Sequence, residues 1–215
     1  NNSFEAGGYV ILKNKKIALV MDIGSSPEKK FSKNYQCGAL SFEIISNNNK
    51  LICNSGYFQK IKHKLNDISK SSANHSTLII DNHSSCKINP SNLEIVQELK
   101  ILKKKVIMEK NYWSICSSHD GYSKRYGIIH ERQIEFFPKN NKFIGNDKLL
   151  KKKNFKVSNF EIRFHLEPNV KIMKTQDGRS ILISIGNNEG WKFTCQGYTI
   201  DIETGLYFGK KKDRK

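Results

Sequence analysis

The sequence lacks three features that would each indicate a particular class of protein. No apolar run approaches the roughly 20 residues that a membrane-spanning helix needs, so we expect no membrane partner. The start of the chain lacks the basic, apolar and small-residue order of a signal peptide. No pair of cysteines has the CxxC spacing, which argues against tetrathiolate zinc sites and thioredoxin-like chemistry.

Cysteine is also sparse and scattered along the chain. The five cysteines are Cys37, Cys53, Cys86, Cys116 and Cys195. An odd number at wide spacing favours free thiols over a disulfide framework. The sequence therefore gives no strong case for an oxidising compartment.

Acidic residues are few compared with basic ones. The chain has 37 Lys and Arg against 20 Asp and Glu, and its net charge is +17. Such a charge attracts polyanions, namely nucleic acid, acidic polysaccharide or anionic lipid. The lysines lie in scattered clusters such as 103–105 and 151–153, so a solvated basic surface is the simplest explanation. Nucleic-acid binding ranks last among the functions, because no RNA or DNA module is recognisable.

Strand signals dominate what is present. The segment "GYVILKNKKIALVMDIG" has two apolar runs around a polar turn, and "ALSFEII" with "LICNSGYF" repeats this around an Asn-rich turn. The segment 39–44 is predicted as a strand, and "YTIDIE" and "GLYFG" are further β-rich runs. Turn signals recur about every 8 to 12 residues, the spacing of a sandwich or barrel. The sequence therefore predicts an all-β fold, with residues 1–215 as one domain.

Two segments are harder to assign. The segment 92–109 is the one candidate helix, but its apolar alternation fits strands at least as well, with 98–105 as a charged link. The segment 146–156, "NDKLLKKKNFK", is predicted to be a surface loop.

Several stretches, in order, resemble the C-terminal β-sheet domain of the heparinase II/III-like family. They are "ALSFEI" with "LICNSG", "ANHSTLIID", "SHDGYSKRYGIIHERQIEF", and "FEIRFHLEPNV" with "GWKF", and together they cover about residues 7–208. The resemblance implies a large antiparallel, supersandwich-like β-sandwich. Since the chain also lacks a starting Met, we expect it to be a fragment of a larger protein.

The resemblance also implies an activity. In the complete enzymes the sandwich follows an α/α-toroid domain, and the two form a cleft for acidic polysaccharide. These enzymes are carbon–oxygen lyases: a base removes the C5 proton of a uronic acid while an acid assists the departing C4 oxygen. Most of those residues belong to the toroid, so we expect the isolated chain to be inactive. The family often works in the bacterial cell envelope or periplasm, although a cytoplasmic location stays open.

The family's motif at the sandwich rim resembles His-x-His-x-Asp-x-Leu-Ser-Phe, of which the chain keeps only the end. Its histidine positions fall on Asn34 and Gln36 and its Asp position on Gly38. In the family the second histidine, with a later Asp and a later His, can hold a structural zinc. Here Cys37 and His75 would make only half of such a ligand set. We therefore predict no metal and no other cofactor.

Three residues are candidates for acid or base catalysis. His75 is the motif's surviving histidine, and its alternative role is a backbone hydrogen bond at a strand entrance. His119 and Tyr122 in "SHDGY" have the right chemistry for proton transfer, with Asp120 between them. Their alternative is a tight turn, which Asp-Gly favours.

Three further residues are candidates for substrate binding. Asn34 and Gln36 cannot exchange protons near neutral pH, but they can hydrogen-bond sugar hydroxyls or a carboxylate. Arg163 can hold a uronate carboxylate in forked geometry, or it can belong to an outward polar face together with His165.

Strand alternation makes a separate prediction for "IIHERQIEF". His130 and Arg132 share a face with Ile128 and Ile134, so we expect a satisfied, half-buried histidine there.

Two functions follow from these observations. The chain is either the sandwich domain of a lyase that cleaves uronic-acid-containing glycans by β-elimination, or a non-catalytic glycan-binding or scaffold domain of the same fold. The expected partners are an acidic polysaccharide and an upstream α/α-toroid domain. The loss of both rim histidines favours the second function.

Overall fold

The computed structural model describes residues 2–58, 63–151, 157, 159–186 and 188–209. The strands are β1 (Asn2–Ala6), β2 (Tyr9–Lys13), β3 (Ile17–Asp22), β4 (Phe42–Ser46), β5 (Asn49–Ile52), β6 (Leu78–Ile80), β7 (Lys87–Ile88), β8 (Ile95–Gln97), β9 (Ile101–Met108), β10 (Trp113–His119), β11 (Ile128–Phe137), β12 (Lys142–Lys151), β13 (Phe160–Ile162), β14 (Lys171–Lys174), β15 (Ser180–Ile185) and β16 (Glu189–Thr194). Short helices α1 (Lys64–Lys70) and α2 (Ser123–Tyr126) and the 3-10 turns Lys29–Phe31 and Ser72–Asn74 lie between them. No helix in the described part of the chain is both long and apolar enough to cross a membrane.

The first sheet is an antiparallel meander in the order β1-β2-β3-β4-β5. In the β2–β3 turn, the Asn14 side chain accepts hydrogen bonds from the N–H groups of Lys16 and Ile17, each at 2.8 Å. In the β4–β5 turn, Asn47 and Asn48 have φ angles of 46° and 64°. Asparagine tolerates this left-handed conformation, which a two-residue hairpin turn requires. Both predicted hairpins are confirmed.

The other sheets are also antiparallel. Their orders are β12-β11-β10-β9, β14-β15-β16, β13-β6 and β7-β8. The candidate helix at 92–109 instead forms β8 and β9, and β9 already contains the lysines that had been assigned to a charged link. The predicted all-β antiparallel sandwich is confirmed.

The main core lies between the five-stranded sheet and the four- and three-stranded sheets. Its buried side chains include Leu12, Leu19, Met21, Phe42, Ile44, Trp113, Ile115, Ile134, Phe136, Ile181 and Ile183. The rings of Trp113 and Phe136 pack edge to face, with their centroids 5.0 Å apart. Period-two alternation places these residues on one face of each strand, where burial stabilises the fold by roughly 1.5–3 kcal/mol per large side chain.

The strand predicted at 39–44 begins later than expected. Leu40 has a φ of 58°, which is incompatible with extended strand geometry, so β4 begins at Phe42. Leu40 is still buried together with Phe42 and Ile44, as predicted. The turn before β4 thus changes the backbone without changing which residues enter the core.

Two other segment predictions were wrong. The predicted loop at 146–156 is strand β12 as far as Lys151, because it pairs with β11 along its whole length; residues 152–156 lie outside the described part of the chain. The segments "YTIDIE" and "GLYFG" were predicted as strands, but residues 198–208 form no ladder with another strand.

The prediction of free thiols was wrong for two cysteines. Cys37 and Cys86 form a disulfide, with their Cα atoms 5.5 Å apart. Both side chains are buried in a small apolar cluster with Ile95 and Leu99. Cys53, Cys116 and Cys195 are free thiols, as expected.

Candidate functional site

The degenerate motif forms a loop at residues 33–41, which we call the rim loop. The end of helix α1 holds this loop in place. The Lys70 ammonium donates hydrogen bonds to the carbonyls of Lys33 and Tyr35, at 2.5 and 2.9 Å, and the Cys37 N–H donates to the Lys70 carbonyl at 2.8 Å. Burial lowers the pKa of Lys70 to about 8. The two carbonyls flank the exposed Asn34, so Lys70 fixes the backbone on both sides of that residue.

His75 is buried beneath the rim loop. Its Nδ1 lies 2.8 Å from the Ser71 carbonyl oxygen, and its Nε2 lies 2.9 Å from the side-chain amide of Gln36. Burial lowers the pKa of His75 to about 4, so the ring is neutral at neutral pH. Nδ1–H then donates to the carbonyl and Nε2 accepts, which requires Gln36 to turn its NH2 group toward the ring.

These contacts place two predicted site residues together. His75 makes the backbone hydrogen bond that was its alternative role, and its part in catalysis stays a prediction. Gln36 uses part of its hydrogen-bonding capacity on His75, whereas Asn34 is exposed at the surface of the rim loop. Of the two amides, Asn34 is therefore the more accessible to a ligand.

The residues around His75 do not fit the zinc site that the family resemblance implies. A Cβ atom at Gly38 would lie 2.6 Å from Cδ2 of His75, so an aspartate there would collide with the imidazole. Asn54 accepts the Ser76 N–H at 2.8 Å, and Cys37 is in the disulfide. Within the described residues, no group of three or more His, Cys, Asp and Glu is placed to hold a metal.

His119 and Tyr122 lie in the interior of the protein. His119 accepts the Gly121 N–H at Nδ1, 3.0 Å away, and the Tyr122 hydroxyl donates to the Leu78 carbonyl at 2.9 Å. Burial lowers the pKa of His119 and raises that of Tyr122. Their rings touch, with centroids 5.6 Å apart, but Asp120 instead accepts the N–H of Lys100. An acid–base role for this pair stays a prediction, and it would require the interior to open to a polysaccharide.

His119 belongs to a buried chain of polar side chains that continues through His130 to Asp147. His119 Nε2 lies 3.3 Å from His130 Nδ1, and His130 Nε2 lies 2.6 Å from Asp147 Oδ1. Because His119 Nδ1 accepts a backbone N–H, its Nε2–H points at His130, which in turn donates to the carboxylate. Burial lowers the pKa of both histidines.

Arg132 is the last member of this series of hydrogen-bonded side chains, and it joins strand β11 to the rim loop. Its guanidinium holds both carboxylate oxygens of Asp147, at 2.8 and 3.1 Å. It also donates to the carbonyls of Leu40 and Ser76, at 3.0 and 2.8 Å. Burial alone would raise the pKa of Asp147, but the charge of Arg132 and the hydrogen bond from His130 hold it below the usual range. The shared face of His130 and Arg132 is confirmed, although both are fully buried, not half-buried.

Arg163 does not approach the rim loop through any contact that the structure describes. Its Nε and Nη2 both donate to a carboxylate oxygen of Glu161, at 3.2 and 2.9 Å. His165, which was expected to share an outward face, points inward and contacts the Ser55 hydroxyl and the Ala73 carbonyl, each at 2.9 Å. Binding of a uronate by Arg163 stays a prediction and would have to compete with Glu161.

Acid should destabilise the protein through His75. The folded pKa of about 4 lies below the roughly 6.5 of a free histidine. The unfolded chain therefore binds more protons between these values, and stability falls as the pH drops through this window. Protonation of His75 therefore lowers the free energy of unfolding by about 3 kcal/mol. Urea unfolding gives the free energy of unfolding of the native protein and of His75→Gln at each pH. We expect the native value minus the variant value to fall by about 3 kcal/mol between pH 7.5 and pH 4.

The comparison of two proteins is needed because another buried group has the opposite effect. Burial raises the pKa of Asp22 to about 7, so its contribution to stability is lost as the pH rises. Asp22 is the same in both proteins, and its contribution cancels in the difference. A stability difference that stays constant from pH 7.5 to pH 4 would contradict the buried, neutral state of His75.

Comparison with known proteins agrees with this architecture. The family model described as "Heparinase II/III-like, C-terminal" matches residues 1–215. The heparan sulfate lyase HepC from Pedobacter heparinus has a TM-score of 0.66 at 16% identity, over 85% of this chain and 26% of that one. A heparinase III, the BT4657 gene product, has a TM-score of 0.66 at 15% identity, over 92% and 29%. No curated protein matched the sequence.

These matches differ in what they show. At 15–16% identity, the likeness to the solved structures shows a shared fold. The chain spans less than a third of the length of either structure. The family model, in contrast, covers the full length of the sequence. The chain therefore belongs to the heparinase II/III-like, C-terminal family.

Proposed function

We propose that residues 1–215 form one sandwich domain of a polysaccharide-lyase-like protein that acts on acidic, uronic-acid-containing glycans. In this proposal the domain supplies a glycan-binding rim, and a preceding α/α-toroid domain supplies the acid–base chemistry. The observation that carries the proposal is the state of the motif: amides occupy both former histidine positions, and the remaining His75 is neutral and held by Ser71 and Gln36.

The chemistry of β-elimination sets what this rim can do. A base must take the C5 proton and an acid must assist the C4 oxygen, and an amide can do neither near neutral pH. An amide N–H can, however, stabilise the charge that develops on the uronate carboxylate. Two observations support Asn34 in this role: it is exposed, and Lys70 fixes the backbone on either side of it.

The net charge supports an anionic ligand. At +17, the chain attracts acidic polysaccharide and raises its local concentration at the surface. Salt screens such attraction over roughly 10 Å at 0.1 M. We therefore expect binding to weaken as the salt concentration rises.

A second candidate function is a non-catalytic glycan-binding or scaffold domain. The enclosure of His75 and His119 favours it, because both are at most 5% exposed.

The disulfide between Cys37 and Cys86 bears on the cellular location of the protein, whichever function it has. Disulfides persist in oxidising compartments, which favours the cell envelope over the cytoplasm.

The test uses the chain with heparan sulfate, heparin, alginate and hyaluronan. We expect no rise in unsaturated-uronate absorbance, but measurable binding by calorimetry to at least one of these glycans. Asn34→Ala should weaken this binding by about 3- to 10-fold, the effect of losing one or two hydrogen bonds. Asn111→Ala, at an exposed bend between β9 and β10 and outside the rim loop, should bind as the native chain does.

Two results would contradict this proposal. Product formation that disappears in His75→Ala would show a working acid–base site on this chain alone. If the chain binds none of the four glycans, the rim loop is not a glycan-binding site.

A further inference from the structure

A pocket of about 390 Å³ lies beside the rim loop, between helix α1, the segment 82–90 and helix α2. Its volume is within the range of small-ligand sites. The basic residues Lys70, Lys87 and Arg125 line it, against the single acidic residue Asp67. The lining therefore favours an anion.

Two of these cations are available to a ligand. Among the residues that the structure describes, neither Arg125 nor Lys87 forms an ion pair with a carboxylate. Lys70, by contrast, is fixed by the carbonyls of the rim loop, and it adds a buried positive charge to the inner wall. Three cations against the single carboxylate of Asp67 leave the lining with a net positive charge.

Neighbouring contacts order the walls of the pocket. The guanidinium of Arg125 lies over the ring of Tyr126, 5.8 Å from its centroid. The Tyr126 hydroxyl is 2.7 Å from His83 Nδ1. The side-chain amide of Gln97 donates to the Gly121 carbonyl at 2.9 Å. Groups that are already ordered lose less entropy when a ligand binds.

The pocket and the rim loop share a wall. Cys37 lines the pocket and directly follows Gln36 of the rim loop. Ser71 lines it as well, and its carbonyl holds His75. An extended polymer that contacts the rim loop can therefore continue into the pocket.

From this arrangement we propose that the pocket binds one anionic sugar unit of the glycan, and that Arg125 and Lys87 contact its carboxylate or sulfate. The inference rests on the proposed glycan-binding function and adds a second contact region to it. The planar guanidinium of Arg125 suits paired oxygens of either group, and the Lys87 ammonium acts as a point charge.

The test compares three variants that each remove one positive charge. They are Arg125→Gln, Lys87→Gln and the control Lys124→Gln, whose exposed side chain precedes Arg125 on α2 but does not line the pocket. The probes are a heparin tetrasaccharide and an alginate tetrasaccharide, titrated by calorimetry at 0.15 M salt. We expect the Kd to rise about 10-fold for Arg125→Gln and about 5-fold for Lys87→Gln, because both side chains are exposed and water weakens their charged contacts. Lys124→Gln should change it by less than about 2-fold.

The probes distinguish the two anionic groups. Weakening toward both tetrasaccharides assigns the contact to the carboxylate, whereas weakening toward heparin alone assigns it to a sulfate, and either supports the pocket. Arg125→Lys keeps the charge but loses the forked geometry, so it should fall between Arg125→Gln and the native protein.

The outcomes also separate the pocket from the proposed function. An equal rise in Kd for all three charge-removing variants would indicate diffuse electrostatic attraction and would contradict the proposal that the pocket binds a sugar unit. If Arg125→Gln and Lys87→Gln bind with the native Kd, the pocket does not bind the sugar unit, but the glycan-binding function still stands. A native chain that binds neither tetrasaccharide, nor any of the four polymers, would overturn both.

Discussion

Arg132→Met should lower the free energy of unfolding by about 3–5 kcal/mol, the usual cost of removing one partner of a buried ion pair. Asp147 would remain in the interior without its cation, and the carbonyls of Leu40 and Ser76 would lose their donors. Urea unfolding followed by tryptophan fluorescence measures this, because Trp113 is fully buried. The same experiment should show whether the transition stays cooperative.

The double variant Arg132→Met/Asp147→Leu separates the ion pair from simple loss of packing. Replacing both charges by apolar side chains removes the unpaired carboxylate, so the double variant should be more stable than Arg132→Met alone. His130 would lose its acceptor, which keeps the recovery incomplete. A loss below about 1 kcal/mol in the single variant would show that Arg132 does not hold the interior as its contacts indicate.

Cys37→Ala/Cys86→Ala should lower the free energy of unfolding by about 4 kcal/mol. The two cysteines are 49 residues apart in sequence, so the disulfide removes much of the conformational freedom of the unfolded chain. Alanine is the suitable replacement because both side chains lie in an apolar cluster. Urea unfolding of the native protein in a reducing buffer should approach the curve of the double variant.

Cys195→Ala is the matched control for the disulfide. Cys195 is exposed and free, so its removal should leave both stability and sensitivity to reductant unchanged. Alkylation followed by mass spectrometry counts the free thiols of the unfolded, unreduced protein. A count of five would show that the disulfide does not form.

Both stability predictions concern anchors of the rim loop. Arg132 holds the Leu40 carbonyl, the disulfide holds Cys37, and Lys70 holds the backbone around Asn34. A loop fixed at several points presents its side chains in one arrangement, which reduces the entropy lost on binding. Under the proposed glycan-binding function, we therefore expect the disulfide-free variant, where it folds, to bind glycan more weakly than the native chain.

Local patterns in the sequence were sufficient to predict the two early hairpins and the shared face of β11, although not every strand. The alternation in "IIHERQIEF" placed His130 and Arg132 on the same face as Ile128 and Ile134, which β11 confirms. The polar and Asn-rich turns placed both early hairpins correctly. These features depend on side-chain alternation and turn chemistry within a few residues, and such short-range information is present in the sequence itself.

The ordered motifs also identified the family, and the degenerate motif located the rim loop. Residue types alone showed that Asn34 and Gln36 cannot transfer protons. They could not show that Gln36 faces His75, or that a side chain at Gly38 would collide with that ring.

Only the tertiary structure decided how the site is held and which of its groups can titrate. Lys70 contacts residues 35 and 37 positions earlier, the disulfide spans 49 positions, and Arg132 reaches a carbonyl 92 positions away. No local pattern records such pairings, because they arise only when separate sheets and loops pack together. The same packing removes water from His75 and His119, and this desolvation lowers their pKa values. The sequence by itself determined the family, the all-β fold class and the early hairpins, while packing determined the extent of β4 and β12, the protonation states and the contacts of the site.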